Sequence, residues 1–408
     1  MPPKYGNFIP CSGKESWLHE KLLHGLTLLN VYLRRVMRIL FVARAPFISG
    51  AEKSMQLTIV ALREHGVEVV VLCPAKSPLI AWCRKHGVPV IGCSMMDCKV
   101  HSRRLMKLIG WLISRAISRH QIEIIHSNQV WTNPLASSIG SWLRIPVICH
   151  MRDYITPQGL HWFLNPSPQG VVCVSHHLEA YLRANGLPQH IPTITLTGPV
   201  TCAFQDSLES RNTMRSYLCK ALRIPKDVRL VLFVGQFTQA KGLVLLLEAV
   251  EKWEGSGIHI ILIGAKGLLH RHLGEYVTSR LLGLCERGLV TLVPQINDLS
   301  PYYAAADIVV VPSLEEPLAR VVFEAASFCV PAIVADIDGL PEGVVPYATG
   351  WLVRPGDSVA LLDAIERACD LPLSDYGQRA REFVERHFSY HQYAERLIYF
   401  YQSILTTA

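Results

Sequence analysis

The chain has 408 residues, half of them apolar and few aromatic, and 40 Lys and Arg against 33 Asp and Glu give a formal net charge of +7. That length exceeds one ordinary core and predicts two domains of roughly 150–200 residues, in a soluble α/β protein rather than a β-sandwich. No stretch reaches the ~18 uninterrupted apolar residues of a membrane span. Lys14, Glu15, Glu20 and Lys21 fall where a signal peptide would need an apolar core.

The twelve cysteines are scattered without a Cys-x-x-Cys pair, and Cys149, Cys173 and Cys329 lie inside apolar runs. They read as buried thiols of a reducing cytoplasm, and no His/Cys cluster has the spacing of a metal site.

Residues 1–36 read as an N-terminal extension, because the first clear strand begins at Met37, which could itself serve as a start. From 37 to 200, short apolar strands alternate with helical segments, the pattern of a doubly wound parallel sheet. The strands are expected at 38–43, 67–72, 88–91, 122–125, 146–149 and 171–174. The first runs into Arg44 and then Gly50, whose amide lies near the start of a helix from about Lys53 and could face a phosphate.

Residues 99–119 carry six cationic side chains and no acid. At about 100° per residue, Leu105, Leu108, Ile109, Leu112, Ile113 and Ala116 form one apolar face. Arg103, Arg104, Lys107 and Arg115 take the other side, with Trp111 among them. A solvated helix packed on the sheet would show this pattern. So would an interfacial helix meeting anionic lipid headgroups, which predicts a peripheral contact with the inner membrane face. Nucleic acid fits less well, since no stacking module accompanies the patch. The strand at 146–149 then runs into His150-Met-Arg152-Asp153.

Pro192, Gly198, Pro199 and a polar stretch at 205–212 mark the expected linker, and residues 201–375 repeat the strand–helix pattern. Strands are expected at 229–234, 258–263, 289–292, 307–311, 331–334 and 351–353. The first of these ends at Gly235-Gln236, and Lys241-Gly242 precedes a leucine-rich helix. A glycine there lets the backbone approach a ligand, and the lysine can meet a phosphate, although a lysine in such a loop is most often simply solvated.

Between Pro312 and Glu342 the chain reads PSLEEPLARVVFEAASFCVPAIVADIDGLPE. Glu316 falls in a loop closed by Pro317, and Glu324 about a turn and a half into a helix starting near Leu318. A carboxylate that can hold hydroxyls, beside a helix end that can hold a phosphate, suits a sugar nucleotide. This loop and that of Lys241 both follow the carboxyl ends of parallel strands, where open α/β sheets bind ligands. No Gly-x-Gly-x-x-Gly follows a strand and no Walker A loop is present, which disfavours dinucleotide enzymes and P-loop NTPases. Asp336-Ile-Asp338 spells a metal-binding pair but reads as a loop near the donor without a metal. Residues 376–408 form an aromatic-rich helical tail, broken near Ser389, that would pack back on the first domain.

In this order the motifs resemble the retaining family 4 glycosyltransferases, whose GT-B fold sets two Rossmann-like doubly wound domains across a cleft. The resemblance runs from about Arg38 onward. It rests on Glu316-x7-Glu324 in its Pro-Ser…Glu-Pro…Glu-Ala-Ala setting and on Gly-Leu-Pro-Glu…Gly350-Trp-Leu-Val-Arg-Pro-Gly-Asp. The loops Ser49-Gly50-Ala51-Glu52 and Gly235…Lys241-Gly242 add to it. It implies transfer of a sugar from a nucleotide-sugar substrate to a hydroxyl of a glycan, lipid-linked or small-molecule acceptor. The anomeric configuration would be retained, without a metal or cofactor.

Residue by residue, the resemblance implies that Glu316 holds donor-sugar hydroxyls and Glu324 the ribose. Lys241 and the Gly50 amide would meet the diphosphate, and Gln295 and Ile296, within Pro294–Asn297, would cradle the base. Three departures stand out. Gln236 occupies the place of an arginine, for which Arg320 or Arg44 could substitute. The loop Glu316-Pro317-Leu318-Ala319 carries small side chains where the family uses glycine amides. Either His150 or Arg152 could face the sugar, and both are expected near it. A sugar-nucleotide epimerase or hydrolase of the same fold is the rival enzyme, and Gln236 keeps open a non-catalytic nucleotide-sugar-binding partner protein.

Overall fold

The computed structural model describes residues 36–44, 47–97, 103–200, 208–255, 257–264 and 269–407. The expected extension, apart from Val36, lies outside these residues. So do 98–102 of the basic stretch, the side chain of Arg103, and 201–207 of the expected linker.

Seven parallel strands form the first sheet: β1 (Arg38–Val42), β2 (Glu68–Pro74), β3 (Val90–Cys93), β4 (Ile124–Ser127), β5 (Val147–Met151), β6 (Gly170–Cys173) and β7 (Thr193–Thr195). Six parallel strands form the second: β8 (Arg229–Val234), β9 (Ile258–Gly264), β10 (Val290–Pro294), β11 (Ile308–Val311), β12 (Ala332–Ala335) and β13 (Gly350–Val353). Their orders, β3-β2-β1-β4-β5-β6-β7 and β10-β9-β8-β11-β12-β13, are doubly wound. Runs such as Ile39–Val42 and Leu230–Phe233 are buried because helices cover both faces, as parallel sheets require. In each sheet the winding reverses between the first strand and the fourth, β1|β4 and β8|β11, and the loops there open a crevice for ligands.

Three local expectations are corrected. The region around Pro192, read as linker, contains β7, a three-residue edge strand paired with β6 and too short for a periodic signal. The helix carrying Glu324 begins at Arg320 rather than Leu318, because Ala319 is still extended. Glu324 therefore stands about one turn in. The first-domain helix begins at Gly50 rather than Lys53, capped by Ser49, whose hydroxyl accepts from the Ala51 N–H while Glu52 returns to the Ser49 N–H.

The basic helix, Arg103–Ile117, also turns a different face inward. A Cβ on Gly110 would lie 2.3 Å from Ser138 Oγ, so the helix packs closely on Asn133–Leu143 and buries Ile109, Ile113 and Ile117. Leu105, Leu108 and Leu112 are left 46, 52 and 42% exposed.

The tail divides at Ser389. Helix Leu373–Phe388 places Ala380 and Val384 in the second-domain core. Helix Tyr390–Thr407 places Tyr393, Leu397, Phe400, Tyr401 and Ile404 in the first, beneath Ile39 and Phe41. Val200 N–H donates to Phe388 O at 3.3 Å, so the two crossings between domains run side by side.

Candidate donor site in the interdomain cleft

Lys241 ends the loop after β8 and Glu316 lies in the loop after β11, the two strands that flank the second switch point. Seventy-five residues apart in sequence, they meet with Nζ 2.5 Å from Oε2. Gly242 makes the approach possible: its φ is 70°, and a Cβ there would lie 1.8 Å from Pro312 O. Glu316 is itself buried, and its backbone N–H donates to Asp338 Oδ2 at 2.9 Å.

The second carboxylate is also paired. Arg320 Nε and Nη2 donate to Glu324 Oε1 at 3.1 and 2.9 Å, and the Tyr303 hydroxyl donates to Oε2 at 2.9 Å. Burial pushes the Glu324 carboxyl up, but Arg320, Tyr303 and Lys53 together hold it below its ordinary value. Glu324 is therefore an ion. Arg320 Nη1 is buried without a hydrogen-bond partner among the described residues.

The first domain closes over this pair. A Cβ on Gly50 would lie 3.5 Å from Arg320 Cδ, so the start of the Gly50–Glu64 helix rests against that side chain. Lys53 Nζ donates to Asn297 O at 3.0 Å, joining this helix to the loop that holds exposed Gln295 and half-buried Ile296. Arg152, just past β5, donates to Asn128 O (2.9 Å), Asn128 Oδ1 (3.1 Å) and Ser54 Oγ (3.3 Å). Burial first, and Arg320 across the cleft as well, push the Arg152 guanidinium below its ordinary value.

His150 lies deeper. It is 1% exposed, and its Nδ1 stands 3.2 Å from both His126 Nε2 and Arg152 Nη2. Arginine can only donate, so His150 Nδ1 accepts; His126 then donates through Nε2, and its Nδ1 accepts the Tyr401 hydroxyl at 2.7 Å. Burial, then Arg152, push the His126 imidazole down to about 3, and the same causes hold His150 well below its ordinary value. Both rings are neutral. Of the two first-domain candidates, Arg152 is half-buried and bonds Asn128 and Ser54, whereas His150 belongs to a network under the Tyr390–Thr407 helix.

Arg44 and Gln236 are exposed, while Arg320 is the cation next to Glu324 and Gly50. Pro317 and Leu318 are half-buried and Ala319 is buried in the loop that leads from Glu316 to the helix, and Gly235 sits where β8 ends, its N–H donating to Ile263 O at 3.0 Å. Sequence reasoning missed Lys53, Tyr303 and His126, each a common residue type without a motif around it. It also missed a second bridge between domains. The Glu342 carboxylate accepts from His176 N–H (3.1 Å) and His177 N–H (2.9 Å) at the start of helix His176–Ala184. Asp338 serves as a hydrogen-bond acceptor, and among the described residues no group of three or more His, Cys, Asp or Glu side chains is placed to hold a metal. A cavity of about 260 Å³ lies elsewhere, between Thr195–Thr197 and His387–Arg396 at the domain crossings.

Two family models match, in chain order, the two halves of this fold. "Glycosyl transferase 4-like domain" covers residues 49–194, and "Glycosyl transferases group 1" covers 218–386. Among curated relatives, D-inositol 3-phosphate glycosyltransferase of Corynebacterium diphtheriae is 33% identical over 165 residues, 39% of this chain and 38% of that one. Sulfoquinovosyl transferase SQD2 of Arabidopsis thaliana is 26% identical over 340 residues, 78% of this chain and 64% of that one. The chain spans less than half of the length of the first of these relatives. In fold it is similar to a glycosyltransferase from Rickettsia africae (TM-score 0.79, 19% identity, 92% of this chain and 100% of that one). It is likewise similar to Anabaena HepE solved with UDP-glucose (TM-score 0.76, 19% identity, 90% and 100%). Among the described residues no helix is long and apolar enough to cross a membrane. The chain belongs to the group 1, family-4-type glycosyltransferases with the two-domain GT-B fold.

Proposed function

We propose that this protein transfers a sugar from a nucleotide-sugar donor to a hydroxyl acceptor with retention of anomeric configuration. The observation that carries the reading is the pair of cation–carboxylate contacts, Lys241–Glu316 and Arg320–Glu324, at one sheet edge beneath Gly50 and Arg152. A nucleotide sugar offers hydroxyls to the carboxylates and a diphosphate to the cations, so each charged side chain exchanges its present partner for part of the donor. Glu316 takes the sugar, Glu324 the ribose, and the Gln295–Ile296 loop the base.

As the glycosyl–phosphate bond breaks, the electron pair goes to the diphosphate, where Lys241 and Arg320 stabilise the charge. Arg320 thereby supplies the cation that Gln236 lacks. The acceptor hydroxyl attacks on the face the diphosphate leaves, and a leaving phosphate oxygen takes its proton. Nothing in this sequence of steps requires a resident cofactor, the nucleotide sugar being a substrate.

Thermal-shift screening against a panel of nucleotide sugars is the first test, because a ligand that binds only the folded state raises the melting temperature. Transfer to acceptor that disappears in Glu316→Ala and Lys241→Ala supports the reading. Donor turnover without any acceptor would instead identify an epimerase or hydrolase, and donor binding with no turnover a non-catalytic partner protein.

A second reading concerns the acceptor. Leu105, Leu108 and Leu112 stand exposed beside Arg104, Lys107 and Arg115, and Trp142, 55% exposed, donates its indole N–H to Lys107 O on the same helix. Apolar side chains that could have been buried are presented to solvent among cations, as interfacial helices present them. The acceptor is then lipid-linked, and the enzyme works in the cytoplasm against the anionic inner membrane face. Liposome flotation decides: equal recovery with neutral and anionic vesicles rejects the membrane contact.

A further inference from the structure

Asp338 divides its carboxylate between the two domains. Oδ2 accepts the Glu316 N–H at 2.9 Å within the second domain, while Oδ1 lies 3.5 Å from His177 Nε2 of the first. Burial, and then the Asp338 charge, push the Tyr154 hydroxyl of the first domain above its ordinary value. Four residues onward, Glu342 caps the first-domain helix through His176 and His177 N–H, so this segment meets the first domain at several points.

The backbone of Asp338 is left-handed, with φ of 55°. Glycine would hold that conformation without strain, whereas aspartate is merely one of the better-tolerated side chains there. Strain of this kind persists where a side chain is needed. The side chain present is the one that reaches both domains.

We propose that Asp338 is a positioning residue that couples closure of the cleft to the sugar-binding carboxylate. With the domains docked, His177 holds one side of the Asp338 carboxylate, and its other oxygen fixes the backbone of Glu316. When they part, Asp338 loses His177 and its carboxylate is free to turn, loosening its hold on the Glu316 backbone, so donor-sugar hydroxyls are held firmly only in the closed cleft. Hydrolysis of the donor in an open site is thereby limited. The inference rests on the donor-site reading above.

Its test compares affinity for a nucleotide sugar with that for its own nucleoside diphosphate, using UDP-glucose with UDP, GDP-mannose with GDP and ADP-glucose with ADP. In Asp338→Gly the preference for the sugar-bearing ligand should fall about tenfold, while diphosphate affinity and melting temperature are retained. In a Glu316→Ala background, Asp338→Gly should change nothing further, because the sugar contact is already lost. His177→Gln, at an exposed position that does not endanger folding, should lower the preference about threefold and have no added effect in Asp338→Gly. Effects of Asp338→Gly and Glu316→Ala that add, or equal weakening of diphosphate and nucleotide sugar, would overturn the proposal. If the wild-type protein binds none of the six ligands, the donor-site reading falls first and takes this inference with it.

Discussion

On the second-domain wall of the cleft, Lys241–Glu316 and Arg320–Glu324 stand as charged pairs beside the opening, whereas on the first-domain wall His126 and His150 are neutral and face inward under helix Tyr390–Thr407. Both walls are sheet edges built by the same winding. They differ in what their polar groups meet. A partly buried ion pair can exchange each partner for a matching group of a ligand, while a buried hydrogen-bonded ring cannot leave its network without stranding an acceptor. The comparison teaches that substitutions on the second wall should be read in catalysis and those on the first in stability.

The largest effect expected is on the second wall. Lys241→Ala should reduce transfer by about 10²–10³-fold, or roughly 3–4 kcal/mol of transition-state stabilisation, in kcat/KM. An activity within threefold of wild type would break the contrast between walls. On the first wall, Tyr401→Phe strands His126 Nδ1 as a buried acceptor and should cost about 1–3 kcal/mol in urea denaturation. Donor affinity should not change; a weakened donor would show that the two walls are one energetic unit.

The pH dependence of stability sharpens the same point. The His126 imidazole has a folded value of about 3 against an ordinary 6.5, so between these values the unfolded chain binds a proton that the folded protein does not. Its contribution is fully present above pH 6.5 and is lost as pH falls toward about 3, at roughly 1.4 kcal/mol per pH unit for one proton. His150 acts in the same sense. In His126→Gln the slope of unfolding free energy between pH 6 and pH 5 should flatten by about one proton. The smallest effect is expected from Gln236→Arg. With Arg320 already serving the diphosphate, an added cation should tighten nucleoside diphosphate binding only about twofold to threefold. A gain above roughly tenfold would mean that Arg320 does not reach the phosphates.

The strands were readable because parallel sheets covered on both faces demand uninterrupted β-branched and apolar runs, such as Val69–Leu72 and Ile308–Val311. β7 escaped because three residues between Pro192 and Leu196 carry no period. Lys241 and Glu316 could be placed at one sheet edge in advance because both loops follow the carboxyl ends of parallel strands, a consequence of topology more than of either residue. The partners of Glu324 could not, since Tyr303 looks like any core aromatic until its hydroxyl is seen to donate. The basic helix shows the limit of periodicity: one apolar arc was visible, but the contact of Gly110 with Ser138 decided which half of it would be covered. His150 lies within β5 and Arg152 just past its end, and that one step out of the strand separates a buried ring from a half-buried guanidinium.

The helix Tyr390–Thr407 has a consequence for how the chain is made. Tyr401 is fully buried and bonds a residue 275 positions earlier. Synthesis proceeds at about 5–20 residues per second, so the first domain must wait for tens of seconds before the helix that closes its apolar floor is available. Through that interval the core around Ile39 and Phe41 has Met55, Ile59 and Leu62 but lacks Tyr393, Leu397, Phe400, Tyr401 and Ile404. The second domain, whose sheet and covering helices are contiguous between Leu208 and Phe388, can meanwhile be completed. The half of the molecule synthesised first is therefore the half that finishes folding last, and a chain halted after Ser389 would display a folded donor domain beside an unfinished partner.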